Sequence, residues 1–146
     1  MRAVIILCDF AEQSAPGDKV HMLGAGWSMI GPQPSPHAVV AIIKIDWTET
    51  NRPHDFILRL TDSDGHVVMA PGPAAQLPLE ISGKLEVGRP PGIPEGSELD
   101  ANFVAAIQPL QLVPGQRYTW RLVIDDEEAA SESFAVRQLT QMPARP

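Results

Sequence analysis

The strongest signal in this chain is apolar and polar side chains alternating with a period of two. In HDFILRLTDSDGHVVMA, Phe56, Leu58 and Leu60 share one face, while Ile57, Arg59 and Thr61 share the other. PGQRYTWRLVIDDEEAASESFAVR repeats the pattern. Tyr118, Trp120, Leu122 and Ile124 lie on one face with Thr119 and Arg121 opposite, and Phe134 and Val136 point inward on the return. A helix would smear such alternation around its circumference, so each run predicts a strand. Asp62-Ser-Asp-Gly65 reads as a hairpin turn, because Asp tolerates a tight backbone and Gly65 supplies a positive φ. The acidic stretch 125–128 turns the chain between the last two strands.

DKVHMLGAGWSMIG and HAVVAIIKIDW predict two further strands. Gly24 and Gly26 interrupt the first just before Trp27, the mark of a bulge or a close backbone approach. In the second, Val39, Ala41, Ile43, Ile45 and Trp47 share a face. LEISGKLEV, ANFVAAIQPLQL and the N-terminal run add candidates, with Pro109 marking an edge or a strand end. No amphipathic helix of three turns emerges. The expectation is an all-β fold, a two-sheet antiparallel β-sandwich of roughly eight or nine strands.

GRPPGIPEG, residues 88–96, reads as one long loop stiffened by proline, not as a linker or a polyproline docking ligand. Residues 97–146 would offer about three strands, too few to close a two-layer core alone. Residues 1–137 are therefore expected to form a single β-sandwich domain, with 138–146 a C-terminal tail.

Several strands are apolar on both faces. Ile5 and Leu7 oppose Val4 and Ile6, and Val40 and Ile42 oppose the face of Val39. A sheet with one solvated side would show polar residues there. Either the loop around Arg89 covers these strands, or they form a patch that another chain covers. Ile5, Leu7, Val40 and Ile42, with Arg89, Pro90, Pro91 and Ile93 of the loop, are thus candidate interaction residues.

Charge narrows the partners. Asp and Glu outnumber Lys and Arg 18 to 11. That balance disfavours nucleic acid or an anionic membrane, since no cationic surplus neutralises phosphate. The opening MRAVIILCDF is stopped by Asp9, too early for a signal-peptide core or a membrane span. With one cysteine and no export signal, a reducing, cytoplasmic location is expected.

Little else points to chemistry. Cys8 shares a face with Val4, Ile6 and Phe10, which suits packing and not a nucleophile. Asp9 reads as a strand-end carboxylate accepting backbone amides. His21, His37, His54 and His66 lack zinc-ligand spacing and read as surface residues. Asp62 and Asp64 begin like a calcium loop, but Pro73 stands where its glutamate belongs. Acids 125–128 would have to lie at the same end of the fold to help them. Trp27, beside its two glycines, is the one candidate rim for a small ligand. No catalytic residue, metal or cofactor is expected.

Leu7-Cys8-Asp9, then Asp18-Lys19, Leu23-Gly24-Ala25-Gly26-Trp27, EVGRPPGIPEGS and PGQRYTWRLVIDDE with ESFAVR carry a resemblance. Together they resemble a family of small bacterial single-domain proteins, best known from actinobacteria and classed as a domain of unknown function. The C-terminal part is similar to the last hairpin of immunoglobulin-like domains, where a Tyr after a Pro-Gly turn locks a corner; here Tyr118 follows Pro114-Gly115. That likeness implies an immunoglobulin-like sandwich and carries no activity. The function expected is a non-catalytic binding or assembly module acting through protein–protein contacts, with another protein or its own copy as partner. The alternative is a small-ligand or carbohydrate-binding sandwich.

Overall fold

The structure is a computed structural model describing residues 1–15 and 17–138. The tail expected from residue 138 lies, Gln138 apart, outside the described residues. In chain order the strands are β1 (Arg2–Gln13), β2 (Val20–Ala25), β3 (Met29–Ile30), β4 (His37–Ile45), β5 (His54–Thr61), β6 (Met69–Pro71), β7 (Gln76–Pro78), β8 (Glu80–Leu85), β9 (Leu99–Asp100), β10 (Phe103–Ile107), β11 (Arg117–Ile124) and β12 (Glu127–Val136). A single 3-10 turn, Trp47–Glu49, links β4 to β5. Among the described residues no helix is long and apolar enough to cross a membrane.

Two five-stranded sheets form a β-sandwich, one ordered β10-β4-β1-β2 with β9 also on β4, the other β3-β12-β11-β5-β8. Every pairing is antiparallel except β3 with β12. The described residues hold twelve strands where eight or nine were expected. The difference lies in β3, β6, β7 and β9, each only two or three residues and too short to show a period. The run expected as one strand around Trp27 splits: β2 stays in the first sheet and β3 joins the second. Residues 88–96 join β8 of the second sheet to β9 of the first.

The alternation sets the main core. Val39, Ala41, Ile43 and Ile45 of β4, with Ile5 and Leu7 of β1, face Leu58 and Leu60 of β5, Trp120 and Leu122 of β11, and Phe134 and Val136 of β12. Slipping any strand by one residue would turn its whole apolar set to solvent, so burial fixes the register. Tyr118 accepts the Val113 N–H on its hydroxyl at 3.0 Å, pinning the turn before β11.

A second, smaller core sits on the outer face of the first sheet. Cys8, Ala38 and Val40 form it, with Ile6, Ala11, Val20, Met22, Ile42 and Val104 packed against them. Beyond Cys8 the β1–β2 hairpin folds back across its own sheet. Its tip reaches Asn102, whose carbonyl accepts the Gly17 N–H at 3.2 Å and the Gln13 Nε2 at 3.0 Å. Between the paired residues Cys8–Ala25 and Phe10–Leu23 the ladder lapses, at Asp9 and Gly24. Gly24 has φ +62°, and a Cβ there would overlap the Asp9 carboxylate. Only glycine fits both demands.

Two expectations are corrected here. Ile5 and Leu7 are not surface residues but lie between the sheets. Val40 is fully buried and Ile42 half-buried, covered by this chain's own hairpin and not by the loop 88–96. Sheet-face alternation announces that a face is apolar; it does not announce what covers it.

Candidate functional site

On one side the sandwich brings β1 close to β12. On the other, β8 and the β9–β10 side of the first sheet are separate edges. Between them opens a cleft of about 680 Å³, lined by Phe56, Lys84 to Pro90, and Asp100 to Phe103, with Gly17 at the hairpin tip. Phe56 and Phe103 stack across the gap at 4.8 Å and 30°, joining the two sheets where no strand does. Gly83 makes the stack possible. It lies beside Phe56 in register, and a Cβ at Gly83 would come within 3.0 Å of that ring.

The wall formed by residues 87–90 is held in place by a bracket of chain, residues 47–54. Asn51 donates its N–H to the Val87 carbonyl at 2.8 Å. Arg89 donates Nε to the Thr50 hydroxyl and Nη2 to the Trp47 carbonyl, both at 2.7 Å, and lies 4.1 Å over the Trp47 ring. Such a guanidinium is rigid, fixed by hydrogen bonds in its plane and by the aromatic face below it.

The bracket is anchored at its other end by His54. This ring is buried, with Nε2 2.7 Å from the Glu49 carbonyl and Nδ1 2.6 Å from Asp125 Oδ2. A carbonyl oxygen only accepts, so Nε2 carries a proton; facing a carboxylate, Nδ1 carries one too. Burial pushes the His54 pKa down, but the bonds to Asp125 and Glu49 more than offset it, leaving it raised above 6.5. Asp125 in turn is held below its usual 3.8, by His54 first and by the Asp55 N–H on its other oxygen.

Charge around the cleft is mixed. Lys84 pairs with Asp55 at 2.6 Å, Lys44 pairs with Asp100, and Glu86 lies on the wall. Arg89 has no carboxylate partner among the described residues.

Of the residues singled out from sequence, Arg89 and Pro90 line this cleft. Pro91 is exposed and Ile93 half-buried farther along the same loop. Ile5, Leu7, Val40 and Ile42 are not at the cleft. Trp27 is no ligand rim: its ring packs edge-on to His37 at 5.5 Å and to Phe134 at 5.8 Å, against the main core. Cys8 is buried, its thiol pushed up by burial first and by Asp9 next. Asp9 is exposed, its carboxylate against Gly24.

Reading all four histidines as surface residues is corrected for two of them. His21 and His66 are exposed, whereas His37 and His54 are buried. The signal was present: His37 is in phase with Val39 and Ala41, and His54 with Phe56 and Leu58, on the core-facing side of each strand. Asp62, Asp64 and His66 bring ligand atoms within 4.8 Å of one another. Asp62 Oδ1 already accepts the Asp64 and His66 amides, both at 2.9 Å, as a turn-forming Asp does. Acids 125–128 cannot join that cluster. They lie at the Ile124 end of β11, whereas Ser63 bonds the Arg117 carbonyl at its other end.

Comparison with known proteins adds the following. A solved structure of a β-glucuronidase from glycoside hydrolase family 2 is similar over 71% of this chain and 10% of the enzyme, at 16% identity and a TM-score of 0.38. No curated protein sequence matches. The model of a family of unknown function, DUF6941, matches residues 3–137, and the chain belongs to that family.

Proposed function

We propose that this member of DUF6941 is a non-catalytic binding module that takes an extended segment of another protein into the cleft between its sheet edges. The observation that carries the reading is the Phe56–Phe103 stack, an aromatic floor where the sandwich opens between two sheet edges, walled by the clamped Arg89 loop. Two sheet edges flank that floor, and extended chain is what sheet edges bind, through main-chain hydrogen bonds with pockets for alternate side chains. Arg89 supports an acidic or C-terminal carboxylate on the bound segment. Against catalysis stand a buried thiol with a raised pKa and a His54 whose two ring nitrogens are both engaged. A bacterial, cytoplasmic setting belongs to the same reading, supported by the sequence resemblance and by a chain with one cysteine, Cys8, that is buried and free.

A second reading keeps the cleft and changes the occupant. Its volume, about 680 Å³, also suits a small molecule. One experiment separates them. Random peptides displayed on phage are panned on the protein, and the best binder and a sugar panel are titrated into the labelled protein by amide NMR. Peptide-induced shifts at residues 80–90 and 100–103 support the proposal. Shifts there from a sugar alone favour the small ligand, and peptide shifts confined elsewhere overturn the site.

A further inference from the structure

The wall of the cleft and the buried His54 belong to one hydrogen-bonded unit. From the cleft inward it runs from Val87 to Asn51, and from Arg89 to Trp47 and Thr50. It then passes through Glu49 to His54 and Asp125. Thr50 ties the two ends of its own turn by donating to the Trp47 carbonyl at 2.7 Å. The 3-10 turn Trp47–Glu49 buries no residue, so hydrogen bonds rather than apolar packing hold that turn in place. Asn51 carries φ +61°, in the left-handed region that Asn adopts more readily than other non-glycine residues, so it supplies the bend of the bracket.

We propose that His54 and Asp125 form a protonation-operated latch: while His54 is an imidazolium the bracket holds the Arg89 wall in place, and its deprotonation frees the wall. This rests on the cleft being the binding site and names its regulation. The chemistry follows from donor counting. An imidazolium has two N–H groups and satisfies both the Asp125 carboxylate and the Glu49 carbonyl. A neutral ring has one, so its bare nitrogen must face a lone pair on one side or the other. Keeping the bond to carboxylate is the better choice, since charged acceptors bind more strongly. Glu49 is therefore the partner released, and with it the turn that holds Arg89.

Other charges face this pair. Arg52, on the same segment, opposes the imidazolium, and the Glu49 carboxylate is engaged by the Met1 ammonium at 3.1 Å. Asp55, next in sequence, is paired with Lys84, which itself lines the cleft. The raised pKa of His54 places the transition above pH 6.5, with the latch closed below it and open above.

The test is an NMR pH titration of the free protein from 5 to 9, following the His54 ring protons, the Trp47 indole, the Arg89 Nε–H and exchange at the Asn51 amide. The expected result is one shared midpoint above 6.5, with Asn51 losing protection beyond hydroxide catalysis as it is crossed. Asp125→Asn should lower the His54 midpoint, and the Trp47 and Asn51 transitions should follow it down. Arg89→Lys should leave His54 titrating while Asn51 is weakly protected throughout. A His54 that titrates while Trp47, Arg89 and Asn51 stay flat overturns the latch, as does a wild-type midpoint below 6.5. No ligand is present, so either result leaves the binding reading standing. That reading fails separately, if no peptide binds the cleft.

Discussion

Trp120 donates its indole N–H to Nε2 of His37 at 3.1 Å, inside a cluster that also holds Trp27 and Phe134. The acceptor must be a bare nitrogen, so His37 is neutral in the fold, and burial lowers its pKa from 6.5 to about 4. The sign follows. Between those two values the unfolded chain binds the proton and the folded chain does not, so stability is full above pH 6.5 and drops as pH falls towards 4. The shift corresponds to about 3 kcal/mol. Urea unfolding at pH 7, 5.5 and 4.5 checks it. His37→Leu should flatten this acid limb while costing about 1–3 kcal/mol at pH 7, because Trp120 is left without an acceptor.

His54 has the opposite sign. Its raised pKa makes the His54–Asp125 contribution complete below 6.5 and lost as pH rises through the folded value, while the lowered Asp125 pKa ends it at acid pH below 3.8. The two buried histidines together predict a stability maximum near neutrality. In urea unfolding extended to pH 6.5, 8 and 9, His54→Gln should be destabilised at pH 6.5 and lack the alkaline decline expected of the wild type.

The Tyr118 hydroxyl fastens the 113–118 corner from within, accepting from the Val113 N–H at 3.0 Å. Tyr118→Phe keeps the ring in the core and removes only that acceptor. The expected cost is about 0.5–1.5 kcal/mol, with faster amide exchange at Val113 specifically. Unchanged exchange there would show that water replaces the hydroxyl.

Period-two alternation made the sandwich readable, because Leu58, Trp120 and Phe134 sit where their phase put them. The same phase pointed His37 and His54 inward, and their residue type argued the other way. What alternation cannot carry is contact between separate elements. Phe56 meets Phe103, and Arg89 meets Trp47, across distances in sequence that no local pattern spans. Strands of two residues show no period at all. The apolar outer face at Val40 was legible as a face needing cover, but its cover depends on a fold-back at Asp9 and Gly24, a geometry two residues wide.

That fold-back gives a sharp contrast between two valines on the same sheet face. Val40 is 0% exposed beneath the hairpin, and Val4 is 56% exposed beside it. Val40→Asp places a carboxylate with no donor in the second core, and should cost upwards of about 4 kcal/mol. Val4→Asp should stay within about 0.5 kcal/mol of wild type. Thermal unfolding compares them. If Val40→Asp keeps the wild-type midpoint but is cut by protease between β1 and β2, the hairpin has lifted and the sandwich stands without it.

Gly24 tests the cause of the fold-back itself. Its φ of +62° costs an L-residue about 1–2 kcal/mol, and its missing Cβ leaves room for the Asp9 carboxylate. Gly24→Ala therefore meets two penalties, backbone strain and a clash with Asp9. Asp9→Ala relieves the second and leaves the first. In urea unfolding, Gly24→Ala should cost clearly more in the wild-type background than in Asp9→Ala, where about 1–2 kcal/mol remains. Equal costs in both backgrounds would mean that Asp9 swings aside freely, and that backbone conformation alone keeps glycine at this position.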